Sequence, residues 1–326
     1  MSFNTATSQL GQIGKAGSET ALYLEMYAGE VMKTFRQKNI MMPLHRVKMV
    51  GAGKSFQFPV MGEATAGYHT RDVNILDPAN NLLTQFEHGR RTINMDKILM
   101  SNVLRDNWDE LIAHYETRSE YSAQIGLALA YQMDRDLLQL GCLAAREGAT
   151  LQATQSATKS GLQLAVAGAS TSADVMVDQM VLAATAFEEK DVDMSGVTFI
   201  VRPSMYYQMV DSGRLLNTDF GNAGNGSQAM GKVLKGYGFP IMTTNHLPDS
   251  VIASVAGQNN TYSGDFTQTA ALALHRDAIG TVVRQGVMTE MDYRQEFQAT
   301  LLTTKIVTGH GILRPEGAIE ILDTDL

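Results

Sequence analysis

The chain has 326 residues, 44% of them apolar and 18% charged, with a formal net charge of −8. This is long enough for two compact units with a sizeable core and too apolar for a largely disordered chain. No apolar run approaches the ~18–20 residues that span a bilayer, the acidic balance argues against generic DNA binding, and a lone cysteine, Cys142, excludes an internal disulfide.

The first twenty residues, MSFNTATSQLGQIGKAGSET, lack the apolar core of a signal peptide and read as a polar arm. Residues 1–50 hold six Lys/Arg against three Glu, so they carry +3 and the remainder −11. Leu24, Tyr27 and Val31, at steps of three and four, predict a short helix. From Gly51 the period changes. Phe56, Phe58 and Val60 alternate with Ser55, Gln57 and Pro59, the pattern of a half-buried strand, and Pro59 puts it at an edge. About thirty polar, turn-rich residues follow, and a second strand is expected over Arg91–Met100. Two strands flanking so long a polar stretch predict a projecting hairpin that needs a neighbour to hold it.

The spacing of Leu111, Tyr115, Ser122, Ile125, Leu129, Met133, Leu137 and Leu140 predicts one helix over 106–147, with Asp106 as N-cap and Gly148 as its stop. At 1.5 Å per residue it would be a rod of roughly 60 Å. Residues 149–172 are low in complexity and read as a loop or weak strands. Asp174 is expected to cap a second helix, from Val175 to about Lys190. The pattern then becomes mixed. Val197–Val201 reads as a buried strand and Pro203–Val210 as a helix with proline in its first turn. Gly238–Met242 reads as a turn entering a strand, and further strands are expected at 270–275, 281–283, 298–307 and 317–322. The fold class is α+β, without regular βαβ alternation.

Chemical motifs fail when their context is checked. Gly51-Ala-Gly-Lys-Ser55 resembles the end of a phosphate-binding loop, but Lys48 stands where the first glycine belongs and a strand follows instead of a helix. Asp191, Asp193 and Ser195 imitate the start of a calcium loop, yet Arg202 occupies the position of the bidentate glutamate. The seven histidines are too scattered for a local zinc pair. His275-Arg-Asp277 lacks the asparagine of a kinase catalytic loop, and Ser156-Ala-Thr-Lys159 lies in a small-residue loop where chance matches are common. The expectation is no catalytic residue, no metal, no cofactor and no enzyme.

Several segments resemble the major capsid proteins of short-tailed, double-stranded-DNA bacteriophages of the coliphage and cyanophage type. They are Leu22-Tyr-Leu-Glu-Met-Tyr-Ala-Gly-Glu-Val31, Gly53-Lys-Ser-Phe-Gln-Phe-Pro-Val-Met-Gly62, His114-Tyr-Glu-Thr-Arg-Ser-Glu-Tyr-Ser-Ala-Gln-Ile-Gly126, Gly236-Tyr-Gly-Phe-Pro-Ile241 and Gly309-His-Gly-Ile-Leu-Arg-Pro-Glu316. The resemblance implies the tailed-phage capsid (Johnson) fold. Its parts would be an N-terminal arm at 1–50, an extended loop at 51–99, a peripheral domain at 100–195 with spine helix 106–147, an axial domain at 196–296, and C-terminal strands at 297–326 that return to the peripheral domain.

On that resemblance the expected function is self-assembly into the pentamers and hexamers of an icosahedral head around double-stranded DNA. Expected partners are other copies of the chain, a scaffolding protein, a portal protein, optionally a decoration protein, and packaged DNA without sequence-specific binding. No membrane is involved, and assembly would take place in the host cytoplasm. Candidate intersubunit contacts on the extended loop are Arg71, Asp72, Asp77, Pro78, Asn80, Arg90 and Arg91. Candidate hinges are Gly51, Gly53 and Gly89. The alternative is a bacterial nanocompartment shell of the same fold, which would enclose a protein cargo instead of DNA.

Overall fold

A computed structural model describes residues 30–35, 39–61, 66–69, 71, 74, 88–95, 98–106, 118–148, 160–212, 226–227, 232–233, 235–254, 256 and 262–325. The chain divides into two compact units that interleave along the sequence. One comprises residues up to Asn39, Ile98–Met133 and Gln285–Val307; the other comprises Ile40–Lys97, Asp134–Arg284 and Thr308–Leu326.

In chain order the strands are β1 (Arg46–Met49), β2 (Ser55–Met61), β3 (His88–Asn94), β4 (Ile98–Asp106), β5 (Leu162–Val166), β6 (Val197–Val201), β7 (Gly226–Ser227), β8 (Lys232–Val233), β9 (Lys235–Gly236), β10 (Phe239–Thr243), β11 (Val251–Ile252), β12 (Gly264–Asp265), β13 (Thr269–His275), β14 (Ile279–Arg294), β15 (Ala299–Ile312) and β16 (Ala318–Asp323). The helices are α1 (Arg118–Arg146), α2 (Ala173–Glu189) and α3 (Pro203–Asp211). The α+β class expected from sequence is observed. One four-stranded sheet runs β1-β14-β15-β4, and a six-stranded mixed sheet runs β5-β16-β13-β6-β10-β9.

In the first unit, β4 pairs antiparallel with β15 from Ile98↔Val307 to Asp106↔Ala299. Side chains alternate along β4, with Leu99, Val103 and Arg105 half-buried and Ile98, Met100 and Leu104 exposed. Thr289 and Thr304 share a buried hydrogen bond, and Lys305 pairs with Glu290. The helical residues 30–35 lie against α1 at Gly126, where a Cβ would come 2.8 Å from the Val31 carbonyl oxygen. Ser122 Oγ donates to Glu30 Oε2 (3.0 Å) at the same crossing. Glycine is required there by the close approach of two backbones.

In the second unit, α2 and α3 cover one face of the six-stranded sheet. Met176, Met180, Phe187, Met205 and Met209 meet Val197, Phe199, Val201, Ala271, Ala273, Ile319 and Ile321 in a buried cluster. Phe239 stacks on Phe199 and stands edge-on to Phe187, at centroid separations of 6.4 and 6.1 Å. The other face of β13 carries Leu272 and Leu274 and receives α1, whose Gly141 leaves room for Leu272. Alternation in β13 and β16 thus feeds two layers at once, which is why both strands are apolar almost throughout.

One carboxylate breaks that apolar pattern. Glu320 is fully buried, and its oxygens accept from Arg146 Nε (2.8 Å), Arg146 Nη2 (2.7 Å), Gln163 Nε2 (2.9 Å) and Thr269 Oγ1 (2.7 Å). Thr269 reaches it because the β13–β16 register shifts between Thr269 and Ala271, turning that side chain onto the Glu320 face. Arg146 also donates to the Asp265 carbonyl and lies 5.0 Å over the Phe266 ring. The bidentate bond to Glu320 holds its guanidinium pKa above the ordinary value.

Several expectations are corrected. The stretch read as one strand over 91–100 is two strands, with Met95 between them donating its N–H to the Lys54 carbonyl (2.9 Å). Asp106 ends β4, paired with Ala299, because the alternation that began at Ile98 continues through it; helix is described from Arg118, and 107–117 lie outside the described residues. The predicted helical face is buried at Ser122, Ile125, Leu129, Met133, Leu137 and Leu140. Asp174 sits within the first turn of α2, where a carboxylate complements the helix dipole, and Ser172 is the N-cap residue.

Candidate functional site

The candidate site is the ribbon formed by β2 and β3 and the root that holds it. The two strands pair antiparallel from Ser55↔Asn94 to Met61↔His88, and they form a two-stranded sheet of their own. Phe56, Phe58 and Val60 line one half-buried face, while Ser55, Gln57 and Pro59 are exposed on the other. Such a ribbon is not stable alone in water and depends on its root.

That root is built from sequence-distant parts. Ile93 and Met95 join Val282 and Leu313 in a buried cluster, with Val50, Phe56 and Phe58 packed on it and the two phenylalanine rings edge-on at 4.8 Å. Gly309 and Gly311 of β15 let the ribbon in. A Cβ on Gly309 would overlap the Asn94 carbonyl, and one on Gly311 would come 2.6 Å from Ile93 Cγ1. Arg91 Nη2 reaches Glu147 at 2.7 Å, just beyond the end of α1. Two of the segments singled out in the sequence, 53–62 and 309–316, therefore meet at one place.

Residues 40–50 form a strap leading into β2. The Asp134 carboxylate accepts the N–H groups of Ile40 (2.9 Å) and Met41 (3.0 Å). Burial nevertheless dominates and pushes its pKa up to about 6. β1 then pairs in parallel with Gly280–Val283, and Val50 N–H donates to the Val283 carbonyl (3.0 Å). Arg46 meets Asp277 at 3.0 Å.

The sequence-derived residues distribute as follows. Arg71 is exposed, while Asp72, Asp77, Pro78 and Asn80 lie outside the described residues. Arg90 is exposed on the ribbon and donates to Gln57 Oε1 (3.2 Å). Arg91 belongs to the root through Glu147. Gly51 is exposed with open space at its Cβ position, and Gly53 has φ +103°, a conformation glycine adopts without strain. Gly89 sits in the ladder opposite Val60.

A cleft of about 890 Å³ is lined by residues that include Arg46, Lys190, Asp193, His275, Asp277 and Glu316. The calcium-like and kinase-like segments both fall here. Asp193 spends its carboxylate on Ser195, accepting from the backbone N–H (3.0 Å) and the hydroxyl (2.6 Å), which lowers its pKa. Among the described residues no group of three His, Cys, Asp or Glu side chains is arranged to hold a metal ion, and no helix is long and apolar enough to cross a membrane.

Sequence reasoning missed the root. Gly309 and Gly311 fall in a segment singled out only by resemblance, and Glu147 is separated from Arg91 by all of β4 and α1. The close spacing of two glycines within a strand was the available signal.

Comparison with known proteins places this architecture. The chain is 27% identical to the major capsid protein of Enterobacteria phage T3 over 333 residues, covering 94% of this chain and 93% of that one. The capsid structure of cyanophage P-SCSP1u superimposes with a TM-score of 0.74 at 29% identity, over 86% of each chain. The mature capsid of bacteriophage PhiM1 shares the fold, with a TM-score of 0.72 at 19% identity over 88% of each chain. The family model for Gp10A-like major capsid proteins matches residues 57–322, from inside β2 into β16, and the chain belongs to that family.

Proposed function

We propose that copies of this major capsid protein join as pentamers and hexamers of an icosahedral head, with the β2–β3 ribbon and residues 62–87 laid across an adjacent subunit. The observation that carries this reading is the ribbon itself: two strands that, among the described residues, pair with each other alone, are exposed on one face, and are braced at one end by a root of apolar packing, glycine contacts and an ion pair. A rigidly rooted projection is suited to grip a neighbour, since its direction is set before contact. Arg71, Asp72, Asp77, Pro78, Asn80 and Arg90 are the contact residues we assign to it, with Arg91 bracing it. Gly51 and Gly53, ahead of β2, supply the bend that lets one sequence serve both capsomers, with Gly89 as a further point of flexure.

The remaining roles follow the same frame, with residues 1–50 as arm, 51–99 as extended loop, 100–195 as peripheral domain, 196–296 as axial domain and 297–326 as returning strands. Many weak copies of one contact give a closed shell its strength through multivalency while leaving single errors reversible. Assembly in the host cytoplasm around a scaffolding protein, with a portal protein at one vertex and double-stranded DNA packaged later, completes the reading. Deleting residues 72–87 tests it. The deleted chain should remain folded by circular dichroism and yield no closed particles by negative-stain microscopy, with or without scaffold. Intact shells from that chain would overturn the role given to the ribbon.

A further inference from the structure

Beneath the ribbon's root lies a buried hydrogen-bond chain that the assembly reading does not use. His45 Nδ1 is 2.6 Å from the Met41 carbonyl, and His45 Nε2 is 2.6 Å from Thr281 Oγ1. Thr281 Oγ1 is in turn 2.8 Å from His310 Nδ1, and His310 Nε2 lies 3.4 Å from Thr308 Oγ1. Both imidazoles are almost wholly buried.

The chemistry leaves one arrangement of protons. A carbonyl only accepts, so His45 Nδ1 carries the hydrogen and Nε2 is bare. The Thr281 hydroxyl therefore donates to His45 Nε2. Having spent its one hydrogen, it accepts from His310 Nδ1–H, and His310 Nε2 is left bare facing the Thr308 hydroxyl. A proton added at His45 Nε2 removes the acceptor of the Thr281 hydrogen, so the hydroxyl must turn to accept from His45 and the chain stays bonded only if His310 also changes tautomer. A proton added at His310 Nε2 buries a cation whose other neighbours are the Tyr262 hydroxyl, which accepts the His310 backbone N–H (3.1 Å), and His45.

The chain's position gives it consequence. His45 lies in the strap that leads into β2, Thr281 is in β14 opposite Val47, and His310 stands between the two glycines on which the end of β3 rests. We propose that His45, Thr281 and His310 form a proton-sensitive latch that holds the strap to the ribbon's root at neutral pH and releases the strap on acidification.

Other charges face the strap. Arg276 opposes a proton on His45, Arg46 is paired with Asp277, and Arg284 Nη1 lies 3.4 Å from the Val50 carbonyl. Asp134, capping Ile40 and Met41, works in the opposite sense, because its burial favours the protonated form in the closed strap.

Hydrogen–deuterium exchange on assembled shells of the full chain, read by mass spectrometry from pH 7.5 to 5.0 and corrected for intrinsic exchange, tests the latch. Protection of the 44–51 amides should fall by more than about tenfold over that range in the parent chain and in Thr281→Ser, while peptides from 269–275 hold. In the double variant His45→Gln/His310→Asn the side-chain amides replace the ring nitrogens, the relay keeps its hydrogen bonds, and protection should no longer fall on acidification; the remaining change is the rise that Asp134 supplies. Asp134 is untouched in that variant, so its contribution separates. A flat parent profile, or an equal fall in the double variant, would overturn the latch. Should that variant not assemble, Thr281→Val decides: at pH 7.5 it should already lower 44–51 protection by about fivefold or more, and unchanged protection would refute the relay.

Discussion

Replacing Glu320 by alanine removes a fully buried carboxylate and strips four donors of their acceptor. Breaking a buried ion pair from one side costs about 3–5 kcal/mol, because the remaining charge stays desolvated. Arg146 is a quarter exposed and keeps its bond to the Asp265 carbonyl, so it recovers some hydration and the value falls to the lower end. Gln163 and Thr269 each lose a bond of about 1 kcal/mol, partly regained by rearrangement, and a destabilisation of about 3–4 kcal/mol follows. For a chain of 326 residues that corresponds to a fall in melting temperature of roughly 4–6 °C. Calorimetry on the unassembled subunit measures it. The double variant Glu320→Leu/Arg146→Met should recover most of the loss, since both charges leave together. A Glu320→Ala change below about 1 kcal/mol, or a double variant worse than the single, would refute the account of this carboxylate.

Two further outcomes follow from the root and the strap. His310 is held at about pH 3 by burial, below its ordinary 6.5, so its contribution is intact above pH 6.5 and declines by about 1.4 kcal/mol per pH unit as pH falls towards 3. Asp134, raised to about 6 from 3.8, has the reverse sign: its contribution is present below pH 3.8 and is lost as pH rises through 6. Between pH 7.5 and 5.0 urea titration should therefore show His310→Asn losing about 2 kcal/mol less than the parent, and Asp134→Asn losing more; identical pH profiles would contradict both assignments. Gly309→Ala should destabilise the ribbon root by about 2 kcal/mol or more, because the added methyl meets the Asn94 backbone and not a movable side chain, and shell yield should drop with it. Unchanged yield and melting temperature would show that β3 can retreat at no cost.

Local periodicity made much of this molecule readable. Phe56, Phe58 and Val60 announced a half-buried strand, Ser122 to Leu140 announced one helical face, and Val197–Val201 announced a buried strand, because each depends on neighbours within a turn or two. Tyr237 and Gly238, both at positive φ, make the tight turn between β9 and β10 that was expected before Phe239. Where partners are distant the pattern was silent. β14 was read only at 281–283, since Arg284, Gly286, Glu290 and Asp292 hide its length. Glu320 looks like the polar member of an alternating strand, and only Arg146, 174 positions away, shows why it is inside. His45 and His310 were read only as too scattered for a zinc pair, and nothing local marks Thr281 as the hydroxyl between them.

The sheet order gives β16 a role in the order of folding. β16 lies between β5 and β13, and its Glu320 collects donors from residues 146, 163 and 269. A chain halted before residue 318 would leave β5 without its ladder partner and Arg146, Gln163 and Thr269 without their common acceptor. Folding of this unit is thus completed only once residues 318–323 are available to pair. A shell built from many copies of one chain benefits from such a check, because a copy without β16 lacks the strand that joins β5 to the rest of the sheet.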